Sequence, residues 1–194
     1  MKGPKKQFDK AHILRTLLII EREERIGRKG LAKKLILGEG TVRSILKTLI
    51  KKGYLESAVA AGHKLTNEGE KFLKNLHNFV LGPKIIDGKE LTIGNKDIAV
   101  LVRDAANNLK VGIEERDAAI KIGSLGVSVL IFKNNELKFP RETELKVNND
   151  SLYKSFEFKE DDVLIIGTDN TYDKAENAAI AALFTSIGDK IILS

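Results

Sequence analysis

Apolar residues in the first half of the chain recur every three to four positions. Ile13, Leu14, Leu17 and Leu18 form one face of a helix that Asp9 can cap and that starts near Lys10. The charged run Glu21–Arg25 ends it, and Ile26-Gly27 breaks the pattern. Arg28 to Leu35 is long enough for two helical turns, and Ile36-Leu37-Gly38 makes a short turn. The pattern is strongest from Glu39 to Lys52, where Val42, Ile45, Leu46, Leu49 and Ile50 share one stripe. Glu39 sits in the first turn of that helix and Lys51 and Lys52 in its last, both favourable to the helix dipole. Gly53 supplies the stop. The period then falls to two. Tyr54–Val59 reads as a strand, Ala60-Ala61-Gly62 as a turn, and His63-Lys64-Leu65 as a return strand. Asn67 with Glu70 three residues later has the spacing of a capping box, opening a helix to about His77.

Leu81-Gly82-Pro83 marks a domain boundary in the pattern. Beyond it, Lys84-Ile85-Ile86 and Lys89–Ile93 flank Asp87-Gly88, the signal of a hairpin with a type I′ turn. Ile98–Val102 is a continuous apolar run that we read as a buried strand, although Ile98, Leu101, Val102, Ala105 and Leu109 also fit a helix. Ile113–Ile122 reads as a helix closed by Gly123. Gly126–Phe132 is a strand turning through Asn134-Asn135 into Leu137-Lys138-Phe139, and 140–159 is polar and irregular. The last unit is a buried strand Asp162–Ile166, a loop 167–171, an Ala-rich helix Tyr172–Ile187 stopped by Gly188, and a strand Lys190–Leu193. Ala178, Ala179, Ala181 and Ala182 permit close packing on a sheet or on another subunit. The expected class is α+β: a helical N-terminal domain over 1–80 in the order of a winged helix-turn-helix, then an α/β domain over 81–194.

Composition narrows the chemistry. The chain of 194 residues has no Cys, which excludes disulfides, Cys-ligated metals and a thiol nucleophile. No apolar run reaches the roughly 18 residues that span a membrane, and no secretory leader pattern is seen, so the expected location is cytoplasmic. The net charge of +6 is unevenly divided: residues 1–80 carry +10 and residues 81–194 carry −4. A basic module joined to an acidic one predicts that the first alone faces a polyanion.

Gly30-Leu31-Ala32-Lys33-Lys34-Leu35, then Gly38-Glu39-Gly40-Thr41-Val42-Arg43, Lys47-x-Leu49-x-x-x-Gly53-Tyr54-Leu55 and His63–Gly69 together resemble the winged helix of MarR-like and related archaeal regulators over residues 10–78. The resemblance implies that the small Ala32 lets two helices cross closely and that Val42 locks the recognition helix to the core. The turn position that is often Gly in that family is Ile36 here, and a β-branched residue tolerates positive φ poorly, so another turn conformation is expected. The C-terminal half weakly resembles the companion domain of an uncharacterised archaeal winged-helix family, which carries no known activity.

With Val42, Ile45, Leu46 and Leu49 buried, the opposite face of helix 39–52 shows Gly40, Arg43, Ser44, Lys47 and Lys51. Arg43 suits the two acceptors of guanine, and Thr41 and Ser44 suit bases or phosphates. Arg28, Lys29, Lys33 and Lys34 are expected to line the DNA backbone, and His63 and Lys64, beside the wing tip, the adjacent minor groove. The expected partner is double-stranded DNA, read by a homodimer, and the expected function is transcriptional regulation. The alternatives are a winged helix that docks on a protein complex as a scaffold and, behind it, a small-molecule enzyme using Asp and Glu of the C-terminal half.

In the C-terminal half, Thr168, Asp169, Asn170 and Thr171 lie where open α/β sheets hold ligands and could hold a small polar effector, so residues 81–194 are expected to sense a ligand, dimerise, or both. Asp and Asn are ordinary turn formers and caps, and that reading of the loop is the stronger one. That half has no His, no G-x-S-x-G, no Walker loop and no G-x-G-x-x-G, so neither catalysis nor a cofactor is expected. The three His residues, His12, His63 and His77, are scattered and form no metal-ligand pattern.

Overall fold

The structure is a computed structural model, and it describes residues 8–58, 62–109, 113–140 and 147–187. They divide into two compact units, the first reaching Leu76 and the second opening at His77.

The first unit runs α1 (Lys10–Glu23), α2 (Arg28–Leu35), α3 (Glu39–Lys51), β1 (Leu55–Ala58), β2 (Gly62–Leu65) and α4 (Asn67–His77). This is the expected order. β1 and β2 pair antiparallel with Leu55 opposite Leu65, and Ile26 adds a bridge to His63. The periodicity predicts one apolar face on α1, whereas every residue from Leu14 to Ile20 is buried, Arg15 and Thr16 included. The Thr16 hydroxyl is accommodated by donating to the His12 carbonyl at 2.7 Å. Leu31 and Leu35 of α2 meet a core completed by Val42, Ile45, Leu46 and Leu49 of α3. Each such side chain contributes roughly 1.5–3 kcal/mol on burial. Ile50, expected on this stripe, is instead 40% exposed.

Helices α2 and α3 stop in the same way. At the end of α3, Gly53 takes φ +79°, its N–H bonds Ile50 O at 2.9 Å, and Tyr54 N–H bonds Leu49 O at 3.0 Å. At the end of α2, Ile36 N–H bonds Lys33 O at 3.3 Å and Leu37 N–H bonds Ala32 O at 3.1 Å. Both pairs are Schellman closures, which need a left-handed residue at the reversal. Ile36 therefore adopts φ +58°, ψ +41°, contrary to the expectation that it would avoid this region. The burial of Leu35 on one side and Val42 on the other holds it there. At the start of α4 the cap is Thr66 rather than Asn67: its hydroxyl accepts from Gly69 N–H at 3.1 Å, and its carbonyl accepts from Glu70 N–H.

The second unit runs β3 (Val80–Ile86), β4 (Lys96–Val102), α5 (Ile113–Lys121), β5 (Gly126–Lys133), β6 (Glu136–Lys138), α6 (Asp150–Ser155), β7 (Val163–Asp169) and α7 (Tyr172–Ile187). One five-stranded sheet has the order β3-β4-β7-β5-β6, antiparallel throughout. Three expectations change. Leu81-Gly82-Pro83 is no linker but the inside of β3, where Leu81 pairs with Leu101 and the register shifts before Lys84. A cis Gly82–Pro83 bond lies at that shift. Asp87-Gly88 does not turn a hairpin: Gly88 is in the right-handed region, and a 3-10 turn Lys89–Leu91 follows, so β3 pairs with β4 instead. The run 98–102 is a strand, as preferred. The segment expected to be irregular contains α6, capped by Asn149 accepting from Ser151 N–H at 3.0 Å. The expected strand 190–193 lies outside the described residues.

Both faces of the sheet are covered. Ala99, Leu101, Leu130, Leu164 and Ile166 face a cluster with Leu152 of α6, Val147 and Phe156. The opposite face carries α5 and α7. There Gly167 is indispensable: a Cβ on it would lie 2.1 Å from Ala175 O and 2.6 Å from Ala179 N. The small residues of α7 thus serve close approach to β7.

Two outcomes follow from the first unit. Ile36→Gly should raise stability by about 0.5–1 kcal/mol, the left-handed penalty of a side chain less the extra chain entropy of glycine, as read by urea unfolding. At α1, Asp9 accepts from His12 N–H at 3.1 Å and meets His12 Nδ1 at 2.7 Å. The side-chain bond to His12 lowers the Asp9 carboxyl below its ordinary value, with desolvation opposing. A lowered value in the folded state gives stability at neutral pH that is lost as pH falls through it. Asp9→Ala should therefore cost about 0.5–2 kcal/mol at pH 7. Its melting point should converge on that of the wild type as the pH drops below about 4.

Candidate nucleic-acid interface

The outer face of α3 is built by its own amphipathic pattern. Burial of Val42, Ile45 and Leu49 leaves Gly40, Arg43, Ser44 and Lys47 exposed, with Lys51 in the last turn. Arg43, Lys47 and Lys51 follow at intervals of four, which places them along one line on the helix. None of the three has an ion-pair partner among the described residues. Ser44 is less available than its exposure suggests, because its hydroxyl donates to Gly40 O at 3.2 Å. Thr41 is half-buried.

The flanking cations separate into two groups. Lys29 and Lys33 are exposed on α2 and carry no acidic partner among the described residues. Arg28, Lys34 and Lys64 are paired: Arg28 with Glu39 at 3.0 Å, Lys34 with Glu23 at 3.0 Å, and Lys64 with Glu56 at 2.7 Å. These exposed pairs add little stability, but each removes one positive charge from the field. His63 is also displaced from its expected role. It is half-buried, its backbone bonds Ile26 on both sides, and its Nδ1 is buried without a hydrogen-bond partner. Of the expected wing turn Ala60-Ala61-Gly62, the first two residues lie outside the described residues and Gly62 opens β2. Sequence reasoning placed Glu39 only as a dipole partner of its own helix and missed its bond to Arg28, because an 11-residue separation across a turn has no periodic signature.

The polar residues 168–171 do not form the expected loop. The strand continues through Asp169, so Thr168 and Asp169 point to opposite faces of the sheet. Thr168 Oγ1 accepts from Gly94 N–H at 3.0 Å. Asp169 is 2% exposed and accepts from the Ser124 hydroxyl and Leu125 N–H, each at 3.1 Å, and from Asn170 N–H at 2.7 Å. Thr171 Oγ1 accepts from Lys174 N–H at 3.4 Å, in the first turn of α7. The rule that places ligands at strand carboxyl ends belongs to parallel sheets, and this sheet is antiparallel. Among the described residues no group of three or more His, Asp or Glu is placed to hold a metal, and no helix is long and apolar enough to cross a membrane.

Comparison with known proteins follows the same two units. Residues 11–71 match a family described as PH0730-like, N-terminal domain, and residues 93–187 match a domain of unknown function, DUF4443. A solved structure, the hypothetical protein PH0730 from Pyrococcus horikoshii OT3, is 26% identical. The match covers 95% of this chain and 96% of that one, with a TM-score of 0.80. The chain fits an uncharacterised archaeal family. No curated protein matches it.

Asp169→Ala should behave as a structural lesion. It removes the acceptor of three part-buried donors, Ser124 Oγ and the N–H groups of Leu125 and Asn170, at up to roughly 1–3 kcal/mol for a donor that finds no other partner. A thermal melt should show a large fall, and a panel of small polar metabolites should shift neither protein. A compound that raises the wild-type melting point but not that of the variant would restore a ligand role to this residue.

Proposed function

We propose that the first unit binds duplex DNA through the outer face of α3 and that the chain is a transcriptional regulator without catalytic activity. The observation that carries this reading is the unpaired line of Arg43, Lys47 and Lys51 on the helix that follows the α2–α3 reversal. The order of α2, turn, α3 and the β1–β2 hairpin supports a winged helix-turn-helix of the MarR-like and archaeal kind. In that docking mode α3 enters the major groove while Lys29 and Lys33 of α2 meet phosphates. One helix reads few base pairs, which favours a homodimer on two half-sites. The second unit is proposed to supply the pairing: α5 presents Ile113 and Ile120, seven residues apart and 51% and 52% exposed. The internal bonding of Thr168 and Asp169 favours pairing over effector sensing for this unit.

The test is fluorescence anisotropy with duplexes enriched from a random pool, over a range of salt. Log affinity should fall linearly with log salt. Arg43→Ala should weaken enriched duplexes by about 1–3 kcal/mol and the random pool less. Lys33→Ala should weaken all duplexes alike and flatten the salt slope by about 0.9. Salt-independent or absent binding to every duplex would refute the reading.

A further inference from the structure

The leading end of α3 carries a negative charge that a simple phosphate-binding face would lack. Glu39 precedes Arg43 by one turn, so it continues the line of Arg43, Lys47 and Lys51 by about 6 Å toward the N-terminus. It is held there from another helix. Arg28, the first residue of α2, directs both Nε and Nη2 at the same Glu39 oxygen, Oε2, each at 3.0 Å. The other oxygen, Oε1, receives nothing from the described residues, and the Glu39 side chain is 44% exposed. A carboxylate thus stands fixed, with one acceptor free, at the front of the basic line.

The residue beside it adds to this picture. Gly40 sits inside the first turn of α3, yet a Cβ there would meet nothing within 4 Å. Neither packing nor an unusual φ requires glycine at this position, and glycine weakens a helix relative to alanine. What its bareness does is leave the backbone next to Glu39 open to close approach from outside.

Resting on the DNA-binding reading above, we infer that Glu39, positioned by Arg28, is a specificity gate rather than a contributor to affinity. A fixed carboxylate repels phosphates, and it repels the acceptor atoms that guanine and thymine show in the major groove. It accepts from an exposed amino group, that of cytosine above all. Arg43, one turn on, favours guanine. The pair selects a short step in which a donor base edge precedes guanine, and it discourages sliding attachment to sequence-independent backbone. Arg28, with its charge already matched by Glu39, adds little to non-specific binding.

Glu39→Gln in the full chain tests this, since glutamine preserves an acceptor for Arg28 and removes the charge. The probes are the random duplex pool and duplexes enriched from it by the wild type. Affinity for the pool should rise several-fold and the salt slope should steepen. The preference for enriched duplexes over the pool should fall about tenfold. Enrichment repeated with the variant should lose base preference at one position and keep that set by Arg43. An unchanged melting point confirms that folding is intact. Unaltered pool affinity and an unaltered enriched sequence overturn the gate while leaving DNA binding in place. Failure of the wild type to bind any duplex removes both readings.

Discussion

The geometry of the basic face depends on one reversal of the chain. Between Leu35, buried at the end of α2, and Val42, buried in α3, only six residues intervene, and they must turn the helix axis while both ends stay in the core. A Schellman closure does this with two hydrogen bonds, and it requires one left-handed residue. That residue is Ile36, which is 48% exposed and thus gains little burial in exchange for its strain. Propensity loses here to packing: the two flanking apolar anchors outweigh a penalty of about 1–2 kcal/mol. Once the turn is set, α3 has no freedom to rotate, because Ile45 and Leu49 continue the same buried stripe. The exposure of Arg43 and Lys47 is the complement of that burial.

Electrostatics then divides the exposed cations by neighbour rather than by type. Glu23 at the end of α1 and Glu56 on β1 neutralise Lys34 and Lys64, and Glu39 neutralises Arg28. Glu39 stands on α3 itself, at the leading end of its basic line. The net charge of the first half overstates the field at the face of α3, which is concentrated along α3 itself and on Lys29 and Lys33. A narrow positive line, edged with acceptors, suits discrimination between base edges better than a broad positive patch does.

Most of the first unit was legible from period and punctuation. The 3.6-residue stripe of α3, the stop at Gly53 and the change of period after it each rest on contacts close in sequence. The errors arose where distant contacts decide. Leu81-Gly82-Pro83 has the composition of a linker, yet pairing with Leu101 draws it into β3. Asp87-Gly88 has the signature of a tight turn, but Gly88 N–H bonds the Asp97 carboxylate at 3.0 Å and Thr92 Oγ1 bonds the same oxygen at 3.1 Å. Those bonds wrap the segment around Asp97 and leave no return strand. The ion pair of Arg28 with Glu39 and the bridge between Ile26 and His63 are equally non-local, and no periodicity announces them.

The antiparallel sheet also settles how the C-terminal polar residues divide their roles. Val163 to Asp169 reads as an apolar run ending in polar residues, which in a parallel sheet would suggest a strand delivering them to a ligand crevice. Covered on both faces, an antiparallel strand gives the same apolar run for a different reason, since each alternate side chain meets its own layer. Ile166 and Thr168 belong to the α6 side, and Gly167 and Asp169 to the α7 side. Asp169 then does for α7 what Gly167 does sterically: it ties Ser124 and Leu125, at the end of α5, to the point where β7 passes into α7. With Gly167 admitting Ala175 and Ala179 and Asp169 anchoring the α5 terminus, α5 and α7 are fixed as a layer. The same bonds set the orientation of the exposed face of α5, the surface proposed above for pairing.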